Sequence, residues 1–413
     1  MRLARRAFLG SVVASVAGPA VMRLARADQQ VTLKLHHFFS SVSSGHEKFL
    51  VPWARKVELA SAGRIRIDVF PSMQLGGAPA QLFDQARDGT ADIVWAVPGQ
   101  TPGRFAKIET FELPFLPSHR ALVNSKALQE FAAVNLQDEF RDVHPLCFSC
   151  RDHGVVHTSR AIRTISDLKD LRLHVQNRLS GESVQALGAV GVTVPIPQVP
   201  MALSSHAIDG CLDPWDVVPS LKLADFLKFH TDFAGSPLSL STFVLAMNKA
   251  TYEQLPRDLK AVIDGNSGQE AAAMAGAMWD IEAKAVSDLV RDRGDTVTVL
   301  TTDEVTRWRK ATELVIRTWL RQMRERKIDG GKLIANAGAL LAKYANEPEP
   351  QALQTQPAEQ KAVTQPPQET QQTTQPPQPP QAKAEAVQPP KLDAPVGAPV
   401  VKRAPPKTLD IPM

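Results

Sequence analysis

Two runs of this chain hold residue types that could do chemistry. The first is Cys147-Phe148-Ser149-Cys150 with His153 and His157, which reads C-x2-C-x2-H-x3-H. Those are the donor types of a zinc site, and a CxxC pair can also cycle between dithiol and disulfide. The run 143–149 reads as a strand, however, and positions i and i+3 of a strand face opposite sides. Neither one metal ion nor one disulfide collects both sulfurs easily from there. Plain thiols are expected, Cys211 has no evident partner, and no metal or cofactor is anticipated.

The second run is 167–215. Here a helix N-cap leads to a short strand, a basic turn, a helix ending at glycine, a second strand, and then Asp213-Pro214-Trp215. That order puts Arg178 and Trp215 near the ends of two strands, where open α/β sheets bind ligands. The catalytic signatures G-x-S-x-G, H-E-x-x-H and the P-loop are missing. Gly76-Gly77 follows Gln74-Leu75 rather than a strand, so it is a turn and not a phosphate cradle. The chemistry expected is binding, not catalysis.

The elements that must position these residues are legible from periodicity. Residues 31–39 (VTLKLHHFF) and 64–70 (RIRIDVF) alternate as half-buried strands do, and 91–97 (ADIVWAV) is a nearly continuous apolar run suited to a buried parallel strand. Helices at 44–59 and 79–88 separate them and stop at Gly63 and Gly89. This β-α-β-α-β opening argues for a parallel sheet flanked by helices. Further along come a helix over 118–140, a late strand at 242–248, an alanine-rich helix at 269–293 long enough to bridge two lobes, and a helix at 302–326 capped by Thr302 with Glu304 in its first turn.

Both ends have a different character. Arg5-Arg6-Ala7-Phe8-Leu9-Gly10, an apolar stretch from Ala7 to Met22, and Ala25-Arg26-Ala27 before Asp28 look like a twin-arginine export signal over 1–27, with ordinary secretory export left open. An uncleaved anchor is the alternative, but the stretch is shorter than the roughly 18 residues that span a bilayer. Five arginines and no acids lie in 1–27, so without it the formal charge falls from +4 to −1. Nucleic acid is therefore a poor partner. Sixteen of the 32 prolines lie in 341–413 among Gln, Thr and Ala. Such a tail cannot bury enough apolar area to offset its ordering entropy, so 345–413 is expected to be disordered or to serve as a tether.

Several segments, in order, resemble the solute-binding proteins of tripartite ATP-independent periplasmic (TRAP) transporters, the DctP family. LHHFFS with Pro52-Trp53, IDVFPSMQLGGAPAQL, DGTADIVWAVPGQTPGRF, ETFELPF, HTSRAIRTISDLKDLRLHV and MNKATYEQLP span about 31–331. The resemblance implies a two-lobed periplasmic α/β fold with a cleft, crossing segments and a long bridging helix. Lobe I is expected at 28–152 and 236–280, and lobe II at 153–235 and 281–340. It further implies an exported protein that catalyses nothing; a monomer is expected because nothing in the sequence marks an exposed apolar face or a coiled coil. Such a protein captures a small organic acid, C4-dicarboxylate-like, and hands it to membrane permease subunits by closing its lobes. A periplasmic sensor or scaffold contacting a membrane receptor is the alternative.

The family holds its ligand with a second-lobe arginine, whose planar fork donates two parallel bonds to a carboxylate. Here that place is taken by His174, and Arg178, four residues on, matches a second arginine found in one branch of the family. Arg178 is therefore expected to anchor the ligand, with His174 as a pH-sensitive helper. Asp213 would repel a carboxylate unless Arg178 or His174 pairs with it. Trp215, Trp95, Phe38 and His37 are expected to wall the cleft, and His153 to face it from the crossing between lobes.

Overall fold

A computed structural model describes residues 30–347. The leader-like segment 1–27 and the tail beyond residue 347 lie outside the described residues. Among the described residues, eleven strands run in chain order: β1 (Val31–His37), β2 (Ile65–Phe70), β3 (Ile93–Ala96), β4 (His144–Cys150), β5 (Val155–Thr158), β6 (Arg172–His174), β7 (Val190–Val192), β8 (Gly210–Asp213), β9 (Phe229–Phe233), β10 (Thr242–Met247) and β11 (Thr296–Leu300). They form two sheets, ordered β2-β1-β3-β10-β4 and β11-β9-β5-β8-β6-β7. The expected two-lobed α/β architecture is what forms.

The alternation of β1 does what its pattern demands. Leu33 and Leu35 are buried while Thr32 and Lys34 are exposed. β1 pairs in parallel with β2 and β3. β10 then runs antiparallel between β3 and β4, so the chain leaves the first sheet after β4 and returns to it after β9. The two crossings, residues 151–154 and 234–241, run side by side. Arg151 N–H donates to Ser241 O (3.0 Å) and Gly154 N–H to Ser239 O (2.8 Å). Each sheet therefore presents its strand ends at the same pair of cables.

The alanine-rich helix forms over Gly268–Asp292. Its first half buries Ala271, Ala275 and Trp279 in the core of the first sheet, and its second half buries Val286 and Val290 against the second. Small residues let it sit close. A Cβ at Gly276 would stand 2.6 Å from Leu122 Cα and 2.7 Å from Ala121 O, a contact that only glycine permits.

Two details differ from expectation, and a third agrees with it. The helix Thr302–Glu325 is capped by Thr301, one residue early, whose side chain accepts from Glu304 N. The last helix, Gly330–Ala345, reads with the second lobe in the sequence but packs on the first. Its Leu333, Ala337 and Leu341 share a core with Val123 and Phe131, and Asn135 Nδ2 donates to Asn336 Oδ1 (2.8 Å). Apolar spacing reports that a helix has a buried face but not which neighbour covers it. Finally, Cys147 and Cys150 are free and lie in different apolar clusters, one with Trp95 and Trp279, the other with Phe131, as opposite strand faces require.

Candidate functional site

Where the crossings meet the strand ends, Arg151 is the hub. It is 3% exposed and follows directly on β4. Its Nη2 donates to both oxygens of Asp216 in the second lobe, at 2.6 and 2.5 Å. Its Cζ stands over the rings of Phe39 (5.3 Å) and Trp279 (5.1 Å) of the first lobe. Burial pushes the Asp216 carboxyl above its ordinary value despite the guanidinium beside it, with Asp152 and Glu282 adding to the rise.

Around Phe39 the side chains form an aromatic box. Trp95 and Trp279 stack at 6.2 Å, Phe39 stands 5.1 Å from Trp95, and Phe243 stands 4.6 Å from Trp95. Into this box come most of the buried polar atoms that lack a partner among the described residues: Trp95 Nε1, Trp279 Nε1, Arg151 Nε, His37 Nδ1 and Ser149 Oγ. Ser149 joins it because it lies opposite Phe243 in the ladder. Three other buried tryptophans are satisfied. Trp53 donates to Asn266 O (2.7 Å), Trp308 to Glu304 (3.1 Å) and Trp319 to Glu109 (3.1 Å). An unpaired buried donor costs about 1–3 kcal/mol, so several gathered in one place mark a site built for something other than packing.

Of the expected site residues, Trp95 and His37 belong to this box, and Phe38 stacks on Phe39 at 4.3 Å. His37 Nε2 meets His46 Nδ1 at 2.9 Å. Burial, and then the His46 ring, push the His37 pKa down to about 3, so it is neutral.

His174 and Asp213 form a buried ion pair. His174 Nδ1 lies 2.7 Å from Asp213 Oδ2, and its Nε2 faces Val194 O at 3.0 Å. Both ring nitrogens therefore donate. Burial would lower its pKa, but Asp213 outweighs burial and raises it. Burial likewise opposes ionisation of Asp213, but His174 and then Gln176 hold its pKa below the usual carboxylate range. Gln176 Nε2 donates to Asp213 Oδ1 (2.6 Å) and Ser241 Oγ to Gln176 Oε1 (2.6 Å). A polar chain thus runs from the second sheet to the crossing. The repulsion anticipated for Asp213 is already cancelled from within.

Arg178 is placed differently from expectation. It opens the helix Arg178–Ala186 and gives Nη2 to Glu109 Oε2 (2.7 Å) and Nη1 to Glu182 Oε1 (2.6 Å). Both ends of its fork are spent on the protein's own carboxylates. Trp215 is 2% exposed, its ring 5.4 Å from His157 and 5.5 Å from His230. It borders a pocket of about 570 Å³ on the side of the bridging helix, together with His153, His119 and Asp232. His153 Nε2 meets Asp232 Oδ1 at 2.9 Å. Burial works against its charge, yet Asp152 and Asp232 raise its pKa to about 10.

The sequence model of the bacterial extracellular solute-binding protein family 7, DctP, matches residues 36–322. The chain belongs to this family. Among solved structures similar to this solute-binding protein is a TRAP solute-binding protein from Rhodoferax ferrireducens with copurified benzoate. It is 39% identical, with a TM-score of 0.74, over 76% of this chain and 99% of that one. A marine metagenome TRAP protein specific for aromatic acid ligands, with 3-hydroxybenzoate, is 38% identical at the same TM-score and the same coverage. A Bordetella bronchiseptica TRAP protein with bound mandelate is 25% identical, TM-score 0.71, again over 76% and 99% of the two chains. Family members are substrate-binding proteins that work with membrane permease subunits.

Sequence reading missed Arg151, Asp216, Phe39, Trp279 and Ser149 as a set. Phe39 and Ser149 lay inside strands read for their apolar pattern. Arg151 and Asp216 are 65 residues apart, and no local spacing signals such a pair.

Proposed function

We propose that this solute-binding protein captures an aromatic monocarboxylate in the cleft between its sheets, in the periplasm after export, and delivers it to a TRAP permease. The observation that carries the reading is the box around Phe39: apolar aromatic walls with unpaired buried donors from Trp95, Trp279 and Arg151. A ring would stack on the walls, and a carboxylate would take the guanidinium edge that Asp216 leaves open, a charge-assisted contact. A C4-dicarboxylate needs a second cation and no aromatic walls. Here His174 is consumed by Asp213, His153 by Asp232, and Arg178 by Glu109 and Glu182. The benzoate and 3-hydroxybenzoate of the two neighbours near 40% identity support the same ligand class. Closure would turn on the crossings 151–154 and 234–241 and on the bridging helix, with Arg151 touching both lobes.

The test is a thermal-shift and calorimetry panel of benzoate, 3-hydroxybenzoate, mandelate, succinate and galactonate. An aromatic acid at about 100 times its Kd should add roughly 2.7 kcal/mol of stability. A response to succinate alone, or to no acid, overturns the reading.

A further inference from the structure

Outside the aromatic box, three metal-ligating side chains converge where the crossings pass the bridging helix. His119, His153 and Asp232 each offer a ligand atom within 4.8 Å of the others. They come from three parts of the fold. His119 precedes the first-lobe helix Ala121–Asn135, His153 sits in the first crossing, and Asp232 lies near the end of β9 in the second sheet. The geometry points to a divalent transition-metal site, of the kind Zn2+ fills, that pins the two lobes together at their hinge.

The donor spacing suits such an ion. Imidazole and carboxylate arms of about 2.0–2.1 Å around a tetrahedral zinc put neighbouring donors roughly 3.3 Å apart. His119 Nε2 and His153 Nε2 approach the same oxygen, Asp232 Oδ1, at 3.2 and 2.9 Å. The two rings are tilted by 44° to each other, with centroids 3.7 Å apart. Asp232 Oδ1 also accepts its neighbour Phe233 N–H (2.7 Å), so the two ring nitrogens converge on a carboxylate that the backbone holds in place. Two nitrogens and one carboxylate oxygen favour zinc, nickel or copper over calcium or magnesium, which prefer an all-oxygen shell.

The surroundings supply what a metal-bound histidine needs. His153 Nδ1 lies 2.8 Å from Asp152 Oδ1, within reach of the carboxylate–histidine contact that orients ligating rings, although the two atoms are not aligned as a hydrogen bond. Asp152 is itself held by the backbone N–H groups of His153 (2.8 Å) and Trp215 (3.3 Å). His153 is 3% exposed, so its ring is fixed by packing. The pocket of about 570 Å³ beside it gives an ion a way in and leaves room for a water as fourth ligand. The ion takes the place of the proton between His153 Nε2 and Asp232.

The experiment uses tag-free full chain stripped with chelator, then zinc chloride followed by equilibrium dialysis with elemental analysis and by calorimetry. One zinc ion per chain is expected, with at least tenfold weaker binding in His119→Ala and in Asp232→Asn. The His119 side chain is partly exposed, so its variant tests the idea even if Asp232→Asn folds poorly. His46→Ala, at the separate His37–His46 contact, should bind zinc as the parent does. Zinc uptake unchanged by His119→Ala, uptake abolished by His46→Ala, or no uptake at micromolar zinc would each overturn the site.

Discussion

Replacing Arg151 with lysine separates the charge of this residue from its fork. The ammonium still faces Asp216, so no buried carboxylate is stranded. What disappears is the second donor edge, because Nη2 serves Asp216 while Nε has no partner among the described residues. A hydrogen bond to a charged group contributes about 1.5–3 kcal/mol. At about 1.4 kcal/mol per decade, the loss is roughly ten- to a hundredfold in Kd for benzoate. Losing the flat guanidinium over Phe39 and Trp279, at 5.3 and 5.1 Å, lowers the stability of free and bound protein alike by about 0.5–2 kcal/mol. Titration calorimetry against benzoate or 3-hydroxybenzoate reads the loss in affinity directly, with thermal unfolding as the check on folding. Arg178→Lys is the comparison, and its affinity should change little, since Glu109 and Glu182 occupy both ends of that fork. If Arg151→Lys binds like the parent while Arg178→Lys loses tenfold, the anchor is Arg178 and the assignment made here fails.

Other consequences concern buried groups. Glu112 accepts from Thr242 N and Oγ1 at 3.0 and 2.7 Å, yet burial raises its pKa from 4.5 to about 7. A raised carboxyl favours folding with its proton on. Its contribution is complete below about 4.5 and is lost as pH climbs to 7, which at 1.36 kcal/mol per pKa unit amounts to roughly 3 kcal/mol. Glu112→Gln should therefore unfold at a higher temperature than the parent at pH 8 and match it near pH 4; an equal offset at both would contradict the argument. The three cysteines are all fully buried, and burial pushes the Cys147 thiol up to about 12. Thiolate is the reactive form, so Ellman's reagent should find no thiol in the native protein and three in guanidinium. Rapid labelling of one native thiol would show that a strand opens.

Much of the scaffold was legible because it rests on local periodicity. The alternation of β1, the apolar run of β3, the glycine stops and the bridging helix all report a single buried face or stripe, and short-range pattern carries that information. The opposite facing of Cys147 and Cys150 followed from the same rule. The site was less legible because its residues are chosen by contacts between distant segments. His174 and Asp213 could be paired on paper, since one positive and one negative strand end stood on neighbouring strands. Arg178 looked free only because nothing in the sequence says that Glu109, in the short 3-10 helix Ile108–Glu112 of the first lobe, reaches across to it. Phe39 and Trp279, 240 residues apart in sequence, meet only through the fold.

The crowding of acids around Arg151 carries a last consequence. Asp216 holds this guanidinium, and Asp152 and Glu282 already disfavour the Asp216 charge, on top of burial. A ligand carboxylate arriving at the same arginine places one more anion beside Asp216 and raises its pKa further, so the complex binds more protons than the free protein. By linkage, affinity for an aromatic acid then rises as pH falls, by at most about tenfold per pH unit. His174 does not produce this slope, because its proton is already held between Asp213 and Val194 O. Calorimetry in two buffers of different ionisation heat should show proton uptake on binding, and Asp216→Asn should flatten the pH profile while still binding. A parent profile that is flat between about pH 5.5 and 8, with heats independent of buffer, would mean that the ligand carboxylate does not share Arg151 with Asp216.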